Sequence, residues 1–232
     1  MIQIQYRHTT QKYYLGGEGE ESPYYPVGAD CVLYHSYWDG TAVDHSIYGN
    51  DGEVNGAEFV ENGLYFDGVD DVVTFTPINL GKVAASMFAW VNMVASSYKL
   101  YIVIGGAYIN PANFFSFPLY KTQSIGLANP YVSILAMASG PGEFQVPVFH
   151  GAWALMGLTY DGSKVDVYKN GEFAATKNGT FTSDLVLSQV GNMDTLTYDC
   201  NGLIGSVLIF NSIKSATDHL NYYNATKARY GL

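Results

Sequence analysis

The chain has 232 residues, of which 48% are hydrophobic, 15% aromatic and only 14% charged, against roughly 25% charged residues in an ordinary soluble domain. That length suits one all-β domain with an appendage better than two domains, and the composition excludes a disordered chain. With 21 acidic and 11 basic side chains the net charge is -10, so the clustered Lys and Arg that a phosphate backbone requires are missing and nucleic acid is excluded as a partner.

The first residues, Met1-Ile2-Gln3-Ile4-Gln5-Tyr6-Arg7-His8, show no basic stretch followed by an apolar one, so no secretory signal is visible. Ile2, Ile4 and Tyr6 alternate with Gln3 and Gln5 as on a strand with one apolar face. A Gly-rich acidic linker carrying Glu18, Glu20 and Glu21 follows, ending at Pro23. Residues 1–28 therefore read as an N-terminal arm, either a disordered terminus or a strand that adds to a sheet edge of this or a neighbouring subunit and so builds a homo-oligomer. Residues 29–232 form the domain. The longest apolar run, Leu100 to Ile109, is broken by Gly105 and Gly106 and falls well short of the roughly 20 residues that span a bilayer, so no membrane insertion is expected.

From Asp30 onward, short runs rich in β-branched and aromatic residues alternate with turn pairs. The pattern predicts strands at Val32 to Trp38, Gly63 to Phe66, Asp71 to Phe75, Met87 to Met93, Leu100 to Ile104, Tyr131 to Met137, Trp153 to Tyr160, Lys164 to Tyr168, Leu185 to Val190 and Leu203 to Phe210. Asp39-Gly40, Asp51-Gly52, Asp67-Gly68, Asp161-Gly162 and Asn170-Gly171 tolerate the positive φ of hairpin turns. No strand is followed by a helix of 10 to 15 residues, which removes a parallel α/β sheet. Near the end, Ser215 suits an N-cap and Asp218 the N3 position, with Ala216, Leu220, Tyr223 and Lys227 on one face. This short C-terminal helix is expected to lid one end of an antiparallel two-sheet β-sandwich.

Several phrases in fixed order carry a resemblance. They are Asp44-His45-Ser46-Ile47-Tyr48-Gly49-Asn50-Asp51-Gly52, then Gly63 to Val73, Met87-Phe88-Ala89-Trp90-Val91, Trp153 to Gly162, Val165 to Gly171, and Gly202 to Asn211 before the helix. Together they resemble the laminin G-like branch of the concanavalin A-like lectin and glucanase superfamily, whose fold is a jelly roll. Alternate apolar positions agree with two buried inner faces: Phe66, Val73, Phe75, Phe88, Trp90, Val165, Val167, Val207 and Ile209 are expected in the core. The resemblance implies that the first and last strands pair antiparallel at the sheet centre. Cys31 would then lie near Phe210 and Cys200 past the other end, on the order of 20 Å away at about 3.3 Å per residue. Free thiols follow.

Asp44, His45 and Ser46 do not make a catalytic triad, because neighbours on an extended chain point apart. There is no Gly-x-Ser-x-Gly elbow. His8, His35, His150 and His219 stand singly, without metal-ligand spacing. The strand of paired acids that the resemblance would place in a laminarinase-type enzyme is also absent, and Asp166 has Lys164 and Tyr168 beside it. Calcium is a better candidate, since loops rich in Asp, Asn and carbonyls supply the hard oxygens it needs. The resemblance implies a site at the loops or rim, and Asp44, Asn50, Asp67 and Asp70 are the expected ligands.

The segment 95–150 departs from the family and is the most aromatic. Tyr98, Tyr108, Phe114, Phe115, Phe117 and Tyr120 alternate with prolines that argue against central strands. They are candidates for stacking on a glycan or for burial against another subunit. The sequence thus points to a non-catalytic, surface-displayed recognition or assembly module, a virion structural protein such as a capsid decoration or tail protein, with glycans or other virion or surface proteins as partners. A calcium-dependent lectin domain of a cell-surface or secreted protein is the alternative, and a glycoside hydrolase or polysaccharide lyase the outsider. The missing secretory signal favours the virion.

Overall fold

A computed structural model describes residues 24–94, 100–105, 116–121, 131–134, 144–147, 151–181, 184–192 and 199–232. These contain β1 (Cys31–His35), β2 (Glu53–Asn55), β3 (Glu58–Val60), β4 (Gly63–Asp67), β5 (Val72–Asn79), β6 (Ala85–Met93), β7 (Leu100–Gly105), β8 (Ser116–Lys121), β9 (Tyr131–Ile134), β10 (Phe144–Pro147), β11 (Ala154–Tyr160), β12 (Lys164–Lys169), β13 (Glu172–Asn178), β14 (Val186–Val190), β15 (Asn201–Phe210) and one helix, α1 (Ala216–Thr226). All recorded pairings are antiparallel.

Two sheets result. The first runs β13-β12-β11-β6-β15-β4-β3, with β1 also on β15, and the second runs β10-β9-β8-β7-β14-β5-β2. Strand β15 is long enough to serve two neighbours on one side, pairing β4 through residues 201–204 and β1 through residues 207–210. Cys31 lies opposite Phe210, as the resemblance implied, and Cys31 and Cys200 are both buried free thiols.

The core between the sheets holds Leu64, Phe66, Val73, Phe75, Met87, Ala89, Val91, Ile104, Met156, Leu158, Val165, Val167, Leu187, Val190, Val207 and Ile209. Phe88 and Trp90 are buried on the opposite face of β6, with Tyr34, Leu155, Leu208, Phe210, Tyr222 and Tyr230. The expectation that they fill the inter-sheet core is corrected. Every residue from Ala85 to Val91 is buried, so alternation could not tell the two faces apart.

What covers that outer face is α1, which therefore lies on the sheet rather than at the end of the sandwich. Its buried residues are His219, Tyr222 and Thr226, whereas Ala216 and Leu220 are exposed. The capping box of Ser215 and Asp218 forms as expected. Trp90 Nε1 donates to Thr226 Oγ1 at 2.9 Å, and the Tyr230 ring stacks on Trp90 at 4.3 Å. Tyr24, Tyr25 and Val27, the last residues of the segment read as an arm, pack on the same surface. The remainder of that segment, residues 1–23, lies outside the described residues. Among the described residues no helix is long and apolar enough to cross a membrane.

Pro118 lies on β8, an interior strand between β7 and β9, against the expectation that prolines exclude central strands. The pairing of β9 with β8 starts only at Leu119, so no ladder amide is required of Pro118 on that side. Pro147 ends β10 at the sheet edge, where proline is tolerated.

Candidate functional site

The loop from β1 to β2 is organised by one carboxylate. Asp44 is buried, and its Oδ1 accepts the backbone N–H groups of Tyr34 at 2.8 Å and Ser46 at 2.9 Å. Its Oδ2 accepts Ser46 Oγ at 2.7 Å and the Asn50 amide at 2.8 Å. Four donors fill the four lone-pair directions of a carboxylate. Asp51 Oδ1 in turn accepts the Asp44 N–H, and Asn50 Nδ2 donates to Val32 O. His35 completes the network. Its Nε2 donates to Asn50 O at 2.9 Å, so Nδ1 carries the lone pair that accepts from the Tyr37 hydroxyl. Burial pushes the His35 pKa down.

His45 does not face Ser46. Its Nε2 meets Asp39 Oδ2 at 2.9 Å and its ring stacks on Tyr24 at 3.8 Å, while the Tyr24 hydroxyl donates to the same Asp39 oxygen. Burial, then the Asp39 bond and charge, push the Tyr24 pKa up to about 12. With its polar groups spent on this scaffold, the loop presents Val43, Ile47 and Tyr48 outward, 46%, 63% and 49% exposed. Tyr48 is fixed as well as exposed, because its hydroxyl donates to Ala29 O at 2.7 Å. The sequence reading passed over Tyr48, although it stands inside the phrase that carried the resemblance.

The four expected metal ligands separate. Asp44 and Asn50 belong to the loop network, whereas Asp67 and Asp70 join Asp71 in the β4–β5 turn, where one oxygen of each lies within 4.8 Å of the others. Asp71 accepts the Asp67 N–H at 2.7 Å and Asp67 Oδ1 accepts the Val69 N–H at 2.8 Å. Burial, with the charges of Asp67, Asp70 and Glu58, holds the Asp71 pKa above the usual carboxylate range. In donor type and crowded negative charge this set fits a hard divalent cation; Asp44, with its oxygens saturated, does not.

Of the aromatic candidates, Phe117 and Tyr120 fall on β8, in register with Ile104 and Tyr101. Tyr98, Tyr108, Phe114 and Phe115 lie outside the described residues. Asp166 is engaged by Lys164 Nζ and Thr176 Oγ1.

The family model described as the concanavalin A-like lectin/glucanases superfamily matches residues 67–218. No curated protein matches the chain by sequence. Among solved structures, domain 4 of AbnA, an extracellular arabinanase from Geobacillus stearothermophilus determined with arabinotriose, is 14% identical with a TM-score of 0.61, over 83% of this chain and 98% of that one. Trypanosoma rangeli sialidase is 15% identical with a TM-score of 0.63, over 87% of this chain but only 34% of the sialidase. The binding domain of botulinum neurotoxin serotype D is 14% identical with a TM-score of 0.61, over 84% of this chain and 52% of that domain.

Proposed function

The chain belongs to the concanavalin A-like lectin and glucanase superfamily, and from that membership we propose that it is a non-catalytic carbohydrate-binding module displayed on a surface. The observation that carries this is the fate of Asp44, His45 and Ser46. Each is spent on holding a loop that presents exposed side chains, and none is left to act on a substrate. A rigid display of this kind suits recognition, where ordering costs are met before the ligand arrives. The arabinotriose complex of domain 4 of the arabinanase, which this fold covers almost completely, supports the carbohydrate as the ligand class.

Display on a virion, with copies in contact, is the companion reading. The exposed Val43 and Ile47 favour a protein contact of this sort. A calcium ion held by Asp67, Asp70 and Asp71 would brace the sandwich. The test combines a glycan array, with calcium and with chelator, a reducing-sugar assay and a size measurement in solution. Glycan retention without sugar release is expected. Sugar release would replace the reading with an enzyme, and a large assembly retaining no glycan would replace it with a structural protein.

A further inference from the structure

The start of β1 and the end of β15 meet at one rim of the first sheet, where the Asn211 N–H donates to Asp30 O at 3.0 Å. Tyr48 is pinned to Ala29, the residue before Asp30. Asp30 Oδ2 accepts both Ser212 Oγ and Lys214 Nζ. Burial pushes the Asp30 pKa up, but the bonds from Lys214 and Ser212 and the lysine charge outweigh it, and the carboxyl is held below its usual range. The second oxygen, Oδ1, faces Gly28, where even a Cβ would approach to 2.9 Å. Glycine leaves room for Oδ1 there, and the Asp30 side chain as a whole is 34% exposed. Lys214 is steadied over the Phe210 ring, 4.3 Å from its centroid.

We propose that Tyr48, Asp30 and Lys214 form a carbohydrate subsite for a neutral pyranose. The inference rests on the carbohydrate-binding reading and adds its place and ligand class. A sugar ring offers one face of C–H groups and a rim of hydroxyls. An exposed tyrosine ring held by its own hydroxyl provides a flat apolar platform with little entropy left to lose. Hydroxyl donors are met by the partly exposed Asp30 carboxylate and hydroxyl acceptors by the Lys214 ammonium. Because Asp30 already neutralises Lys214, none of the three residues offers a free cation to a carboxylated sugar, and the net charge of -10 repels one.

The whole chain, Tyr48→Ala, Asp30→Asn and Tyr65→Ala are applied to an array printed with neutral and sialylated oligosaccharides. Tyr65, 36% exposed on β4, is the control for loss of a surface ring elsewhere. The expected result is retention of neutral glycans, reduced about tenfold or more by Tyr48→Ala and also weakened by Asp30→Asn, with Tyr65→Ala within about twofold of the parent. Melting curves check that each variant folds. Parent and Tyr48→Ala binding the same glycan equally would overturn the subsite while leaving the carbohydrate reading intact. Retention of sialylated glycans alone would overturn the ligand class. An array that retains nothing would overturn the carbohydrate reading and the subsite with it.

Discussion

The imidazole of His219 lies flat on Tyr168, 3.8 Å between centroids, with the Phe88 ring edge-on at 4.4 Å. Thr159 Oγ1 donates to Lys214 O, so His219 Nε2 donates to Thr159 and Nδ1 keeps its lone pair. That atom has no hydrogen-bond partner, and protonating it would place an unpaired charge among rings. Burial lowers the His219 pKa from 6.5 to about 3, with the Asp218 and Asp166 charges opposing it only in part. A base protonated first in the unfolded chain adds stability that is full above pH 6.5 and is lost as pH falls towards 3. Between pH 7.5 and 4.5 the loss is about 2 to 3 kcal/mol from this group, and His35 acts in the same direction. Urea titrations at the two values should show a smaller acid loss in His219→Gln than in the parent; an equal loss would discard the role given to His219. Asp44 is the second sensitive residue. Asp44→Ala strands four donors and should cost about 3 kcal/mol or more in the same titration, with Asp44→Asn intermediate.

At the scale of elements, α1 depends on glycines in the strands beneath it. A Cβ on Gly157 of β11 would lie 2.3 Å from His219 Nδ1, and one on Gly205 of β15 would lie 2.4 Å from the Tyr230 ring. Both sites admit a ring only because no side chain stands there. Gly157→Ala should destabilise the fold by about 1 to 3 kcal/mol through overpacking, and hydrogen exchange should rise in residues 216–226 before it rises in β6. Unchanged exchange in the helix would mean that Gly157 does not seat it. The same geometry explains what could be read in advance. Strand existence, the Asp161-Gly162 and Asn170-Gly171 hairpin turns and the Ser215 cap were legible because each is local or set by alternation, whereas the pairing of β1 with β15 was legible only through the family resemblance. The side of the sheet taken by Phe88 and Trp90 was not legible, since both faces of β6 are apolar and only the distant helix distinguishes them. Strand β13 was missed because an exposed edge strand, Glu172–Asn178, needs no apolar run. Asp44 was legible as a key residue but not in its role, because turn formation and metal binding use the same oxygens. Tyr48 drew no notice, since exposure and the bond to Ala29 are properties of the folded loop.

Across the whole molecule the net charge of -10 is a standing cost to compaction, and the β4–β5 turn concentrates part of it. A carboxyl whose folded pKa is raised, as for Asp71, adds stability only at low pH and loses it as pH rises through that value. At neutral pH without a cation the three carboxylates therefore repel. Two relief routes have opposite signatures. If calcium occupies the turn, saturating it a hundredfold over its Kd adds about 2.7 kcal/mol, or roughly 5 to 10 °C in a chain of this size, and chelator removes the gain. Asp70→Asn would then lower the melting temperature in calcium. If no cation binds, Asp70→Asn only removes a like charge and raises the melting temperature by about 1 to 2 °C with or without calcium. Melting curves of parent and Asp70→Asn in millimolar calcium and in chelator separate the two. A variant more stable than the parent in both media, beside a parent that calcium does not move, would reduce the cluster to a turn held by the Asp67 and Val69 amides.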